Sequence, residues 1–173
     1  MQARPKLKLE LTPVDKTVEI IGWITIVVVW VMTMANFQNL PDIIPSHYNI
    51  SGKADGFGGK ITILFLPLIS TIFYIGMTII NRFPHVFNYP TAITNENVLK
   101  QYTNATRLIR YLKLIMVTIF GLLTYKTIQH ANEPSQGPGY WFLPIAILLI
   151  TTPMVYLAAK SLKKNNAKRT KDV

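Results

Sequence analysis

The sequence predicts an all-α integral membrane protein with four transmembrane helices and an ordered extracytoplasmic loop between the first and second helices. Half of the 173 residues are hydrophobic and the mean hydropathy is positive, which favours a membrane protein over a soluble domain. Four apolar runs are long enough to cross a bilayer, which takes about 20 residues of α-helix. Lysine and arginine are concentrated in the two terminal tails and in the middle connection between those runs.

The bounds of the apolar runs divide the chain into segments. The first run is too long for the apolar region of a usual signal peptide and no small-residue cleavage site follows it, so we expect an uncleaved anchor. The predicted segments are a cytoplasmic tail at 1–17, spans at 18–37, 61–80, 108–128 and 140–159, a loop at 38–60, an interfacial amphipathic segment at 94–107, and a basic cytoplasmic tail at 160–173.

Apolar residues before the third span recur at helical spacing, as Val98, Tyr102, Ala105, Ile109 and Leu112 show. This pattern predicts an amphipathic helix at the membrane interface that runs into the span. The alternative is an extension of a packed helix with one solvated face.

The distribution of lysine and arginine predicts the orientation. With Arg110 and Lys113, at the near end of the third span, counted in the middle connection, the N-terminal tail, that connection and the C-terminal tail hold 4, 5 and 6 of these residues. The opposite side holds 2 in the loop at 38–60 and 1 at Lys126, at the far end of the third span. Positive charge marks the cytoplasmic side, so we expect a multi-pass protein of the cell membrane with both termini in the cytoplasm. The basic charge then reflects contact with the lipid bilayer, and nucleic acid is not an expected partner.

The loop at 38–60 is the most informative stretch. Pro41 and Pro45 restrict the backbone, and Gly52 and Gly56 permit tight reversals. Aromatic and polar side chains on a shaped loop are typical of a binding surface, although a plug that only caps the bundle remains the alternative. The candidate binding residues are Pro41, Asp42, Pro45, His47, Tyr48, Asn49, Gly52, Asp55, Gly56 and Lys60.

The order and spacing of these residues resemble a known family. Leu40-Pro41-Asp42, Pro45, His47-Tyr48-Asn49, Gly52, Asp55-Gly56 and Lys60 stand between two apolar helices, as in the bacterial membrane family called domain of unknown function 1648. The resemblance covers about residues 20–80. That domain also forms the N-terminal part of the sporulation-delaying-toxin immunity proteins, so the resemblance implies a role in immunity to a membrane-active peptide.

The sequence gives little support for a catalytic site or a metal site. There are no cysteines, and no nucleotide-binding, hydrolase or metalloprotease motif is present. Asp42, His47, Asp55, His130 and Glu133 lie on the predicted outer side without ligand-like spacing, so we expect no catalytic residue, metal or other cofactor. Instead, the aspartates should accept backbone N–H bonds, and His47 and Asn49 should bond loop carbonyls.

These observations predict a non-enzymatic membrane protein that senses a membrane-active peptide, or confers immunity to it, through the outer loop. Its partner would be a peptide toxin or another membrane protein. One alternative is an accessory or permease-like subunit of a transporter, which buried charges would favour; only Lys113 is a candidate, and we expect it to snorkel to the interface. The other alternative is a membrane enzyme with a metal site.

Overall fold

The structure is a computed structural model that describes residues 4–133 and 137–169. It is mostly helical, as the apolar runs predict. The helices are α1 (Pro13–Phe37), α2 (Phe65–Ile80), α3 (Val98–Gln129) and α4 (Phe142–Arg169).

Three helical segments are long and apolar enough to cross a membrane, and a fourth approaches that length. The three are Pro13–Phe37, Lys60–Ile80 and Val98–Gln129; the apolar part of α4, Phe142–Tyr156, is shorter. A 3-10 turn at Lys60–Leu64 leads into α2, so the second segment begins where the sequence predicts. The prediction of several helices long and apolar enough to cross a membrane is therefore confirmed for three to four of them.

α1 begins earlier than the predicted span because its first turn is capped. The Asp15 amide donates to Thr12 Oγ1 (3.3 Å), and the Thr12 amide donates to Asp15 Oδ2 (3.0 Å), which forms a reciprocal capping box. Pro13 occupies the first helical position, where its missing N–H costs nothing. The predicted tail at 1–17 is therefore helical from Pro13 onward.

The loop at 38–60 contains a β-hairpin, which corrects the prediction of an all-α chain. Strand β1 (Ile43–Tyr48) pairs antiparallel with β2 (Ala54–Gly59), with irregular register around His47. The β-branched pair Ile43-Ile44 favours extended backbone. In the connecting turn, Asn49 Oδ1 accepts the amides of Ser51 (2.9 Å) and Lys53 (3.1 Å).

The hairpin packs on the helix ends through a small apolar core. Ile44 is fully buried with Leu40, Ile63 and Ala131. Leu40 follows α1, Ile63 lies in the 3-10 turn before α2, and Ala131 follows α3. We call this end of the bundle the hairpin end, and the opposite end, where α1 and α3 begin and α2 finishes, the charged end.

Residues 98–107 form the first turns of α3, which run directly into the third segment as predicted, and residues 94–97 precede that helix. Val98 and Tyr102 are buried. The Tyr102 hydroxyl donates to the Pro5 carbonyl (3.2 Å), and its ring stacks on that of Tyr89. This packing agrees with the alternative of a packed extension, which buries Thr106 and Arg110 rather than the apolar residues beside them. The location of this segment at the membrane interface stays a prediction.

α4 continues without a break through residues 160–169, which the sequence assigns to a tail. Residues 170–173 of that tail lie outside the described residues. α4 packs against α3, and the rest of its described surface is largely exposed and apolar. Such a surface is suited to lipid contact.

Ile44→Ala tests the docking of the hairpin. We expect it to lower the free energy of unfolding by about 2–5 kcal/mol, because a fully buried side chain is truncated and leaves a cavity. Ile43→Ala is the matched control: Ile43 is 66% exposed and should change stability by about 0.5 kcal/mol or less. Thermal unfolding of both variants in detergent measures the difference, and equal effects would contradict the docking described here.

Candidate functional site

A groove of about 700 Å³ lies between the hairpin and three helices. Residues 45–50 of β1 and its turn form one side. Apolar side chains of the helices form the other side: Phe65 and Ile69 from α2, Leu123 from α3, and Phe142 and Leu143 from α4. The volume falls within the range of about 300–1,000 Å³ that is typical of ligand-binding pockets.

Tyr48 fixes one end of β1 to α3. Its hydroxyl lies 2.9 Å from Thr127 Oγ1, and both residues line the groove. Burial raises the pKa of the Tyr48 hydroxyl, and the hydrogen bond with Thr127 offsets this only in part. Tyr48 is therefore a neutral hydrogen-bonding group at physiological pH.

Gly52 brings the hairpin turn against the connection between α3 and α4. Its φ of +71° is a left-handed conformation that favours glycine, and a Cβ atom there would overlap the Gly139 backbone. The Gly139 amide donates to the Gly52 carbonyl (3.4 Å). The turn can therefore approach this connection only because residue 52 has no side chain.

A hydrogen bond between His47 and Asp55 and an ion pair between Lys60 and Asp42 lie within the candidate loop. His47 Nδ1 is 2.5 Å from Asp55 Oδ1, and Lys60 Nζ is 3.1 Å from Asp42 Oδ1. The aspartates thus pair with side chains, and Asn49 accepts amides rather than donating to carbonyls, contrary to the sequence prediction. These pairs are substantially exposed, so each contributes little to stability.

The structure divides the ten candidate binding residues into two sets of five. The first set lines the groove: Pro45, His47, Tyr48, Asn49 and Gly52. The second set does not line it: Pro41, Asp42, Asp55, Gly56 and Lys60. Within the second set, Asp55 orients His47, and Gly56 pairs with His47 across the hairpin.

No group of three or more His, Asp or Glu side chains suited to hold a metal ion occurs within residues 4–133 and 137–169. His130 and Glu133 are joined by a backbone hydrogen bond, from the Glu133 amide to the His130 carbonyl (2.9 Å). The alternative of a membrane enzyme with a metal site therefore has no ligand set in the described residues.

Residues 24–71 match the family model described as a domain of unknown function (DUF1648). The resemblance that the sequence carries is therefore confirmed over a shorter range than 20–80. The match includes most of α1, the whole hairpin and the first part of α2.

The chain is also similar to an uncharacterized protein of Archaeoglobus fulgidus. The two are 27% identical over 158 residues, which cover 83% of this chain and 85% of that protein. No solved structure matches the chain.

A chain of charged side chains, three of them buried and two partly exposed, lies at the charged end, and the sequence does not predict it. Five side chains alternate in sign along it, and three come from α3 and two from α1. We call them the ion chain: Arg107, Asp15, Arg110, Glu19 and Lys113, in spatial order.

The two ends of the ion chain make its closest contacts. Arg107 Nε donates to Asp15 Oδ1 (3.0 Å). At the other end, Lys113 Nζ donates to Glu19 Oε2 (2.6 Å) and to Thr78 Oγ1 (2.7 Å). Thr78 belongs to α2, so all three helices meet at this point.

Lys113 does not snorkel to the interface, so that prediction is wrong. Its side chain is 1% exposed, and Nζ lies 4.4 Å from the centre of the Tyr74 ring. The signal available in the sequence was Glu19, a carboxylate inside the first predicted span. Asp15 and Glu19 are four residues apart, which places them on one face of α1.

Replacement of Glu19 alone should destabilise the protein more than replacement of both Glu19 and Lys113. We expect Glu19→Gln to cost about 3–5 kcal/mol, because it leaves Lys113 as an uncompensated buried charge. Lys113→Met alone should cost less, because Arg110 still lies 3.3 Å from Glu19. The double variant should recover part of that loss. Denaturant unfolding in detergent measures the coupling, with Lys126→Met at the hairpin end as a control. Strictly additive effects would show that the two side chains do not interact.

Proposed function

We propose that this protein is a non-enzymatic, multi-pass membrane protein that binds a membrane-active peptide at the hairpin end. Binding would confer immunity to the peptide or sense its presence. The observation that carries the proposal is the groove between β1 and the apolar ends of three helices. A permanent plug would fill that space, whereas the groove leaves room for a ligand.

The groove is suited to an extended peptide because it follows the edge of β1. Successive side chains of a strand point to opposite faces, yet the consecutive residues 45–50 all line the groove. The sheet of the described residues has two strands, so β1 has an edge that β2 does not occupy. An added peptide strand can bond such an edge, and Pro45 is a residue that strands tolerate at an edge.

The chemistry of the walls indicates which peptides fit. The helical side of the groove is apolar, with Phe65, Ile69 and Phe142, so it favours apolar side chains. The hairpin side offers polar groups at His47, Tyr48 and Asn49. A peptide with one apolar and one polar face, which is typical of membrane-active peptides, matches both sides.

Buried charge is the observation that favours the alternative of a transporter subunit. The ion chain provides four charged side chains beyond Lys113, the one that the sequence suggested. However, Ile26, Tyr74 and Val117 form a buried cluster between the charged end and the hairpin end. Since this cluster is largely apolar and separates the two sites, peptide binding remains the preferred proposal.

The proposed orientation places both termini in the cytoplasm and the hairpin outside. It is supported by the uneven distribution of lysine and arginine. The chain has no native cysteine, so the labelling of a single introduced cysteine is free of background from other cysteines of the protein. Ser46→Cys should react with an impermeant thiol reagent on intact cells, whereas Ser161→Cys should react only after permeabilisation. The reverse labelling would overturn the orientation.

Filling the groove should abolish peptide protection without loss of the protein. Cells that lack the gene should become more sensitive to a membrane-active peptide, and the wild-type gene should restore resistance. Ile69→Trp places a larger side chain in the groove and should fail to restore it.

Ile72→Trp is the matched control, because Ile72 is an exposed isoleucine of α2 that does not line the groove. It should restore resistance in full. Protein levels in the membrane fraction must be equal for both variants. Full resistance with Ile69→Trp at normal protein level would argue against binding in the groove.

A further inference from the structure

The ion chain carries more positive than negative charge. It begins and ends with a cation, and its three cations face two carboxylates. Unbalanced charge is costly away from water unless a counter-charge is close. The five side chains therefore lack one negative charge.

Arg110 shows that the charge is not fully satisfied. The residue is 7% exposed. It lies at ion-pair distance from Asp15 (Nη1, 3.6 Å) and from Glu19 (Nε, 3.3 Å), but Nε is not directed at an acceptor. Within the described part of the chain, this buried nitrogen has no hydrogen-bond partner.

Access to the ion chain is easiest at Arg107. Its side chain is 36% exposed, whereas those of Asp15 and Lys113 are 4% and 1% exposed. Arg107 Nη2 donates to Thr12 Oγ1 (3.1 Å), immediately before the first residue of α1. An approaching anion would therefore meet Arg107 at the boundary where the apolar helix begins.

We propose that the ion chain binds one phosphate group at its Arg107–Arg110 end. Guanidinium groups recognise phosphate through paired, charge-assisted hydrogen bonds, and one bound phosphate supplies the missing negative charge. The phosphate can belong to an anionic phospholipid or be inorganic phosphate. This site lies at the charged end, and its test does not depend on peptide binding at the hairpin end.

The experiment uses the full chain in nanodiscs. The first arm compares discs of phosphatidylcholine with discs that also contain phosphatidylglycerol, and native mass spectrometry counts the lipid that stays bound. The second arm adds inorganic phosphate to phosphatidylcholine discs, with chloride at matched ionic strength, and follows the Tm.

The variants are Arg107→Gln and Arg107→Lys; the latter keeps the charge but lacks the paired donors. Arg82→Gln is the control, since Arg82 is an exposed arginine in the connection between α2 and α3.

We expect the wild type to retain one phosphatidylglycerol, and both Arg107 variants to lose about tenfold in its affinity, while Arg82→Gln matches the wild type. An alternative outcome is that the wild type retains no phosphatidylglycerol but shows a rise in Tm with phosphate that is absent in the Arg107 variants. That result would support the site and identify inorganic phosphate as its ligand. If the Arg107 and Arg82 variants lose lipid equally, or if neither lipid nor phosphate binds, the proposal is overturned.

Discussion

Charge pairing between α1 and α3 is the contact on which the arrangement of the bundle depends. Asp15 is buried and Glu19 is partly buried, both near the start of a helix that is mostly apolar. Such carboxylates are tolerated there only when cations and hydrogen-bond donors surround them. Arg107, Arg110 and Lys113 meet this requirement from α3, so the pairing fixes the rotation and the register of α3 against α1. Because Thr78 of α2 also bonds Lys113, the same contact places all three helices.

The hairpin end uses different forces. Apolar packing around Ile44 holds β1 on the helix ends, and the bond between Tyr48 and Thr127 fixes its far end. The contact of Gly52 with Gly139 brings in the connection to α4. These three attachments leave an open space beside β1, so the groove is a consequence of how the hairpin is held. A ligand in it would contact segments that are far apart in the sequence.

The sequence predicts the helices well because membrane spans follow from local composition alone. It does not predict β1, since Pro45 and the glycines of its partner strand make the stretch resemble an irregular loop. The burial of Lys113 depends on Glu19, 94 residues away, and such pairings are not visible in a local pattern. Five of the ten candidate residues line the groove, but the groove itself is formed by α2, α3 and α4, whose ends meet only in the folded chain.

Photo-crosslinking tests most directly the central claim that the groove holds a peptide. A photoreactive amino acid would replace Ile69 inside the groove or Ile72 outside it, in cells exposed to a membrane-active peptide. Illumination should then attach the peptide at position 69, identified by mass spectrometry, and only lipid at position 72. Equal capture at both positions, or a peptide captured only at position 72, would contradict binding in the groove.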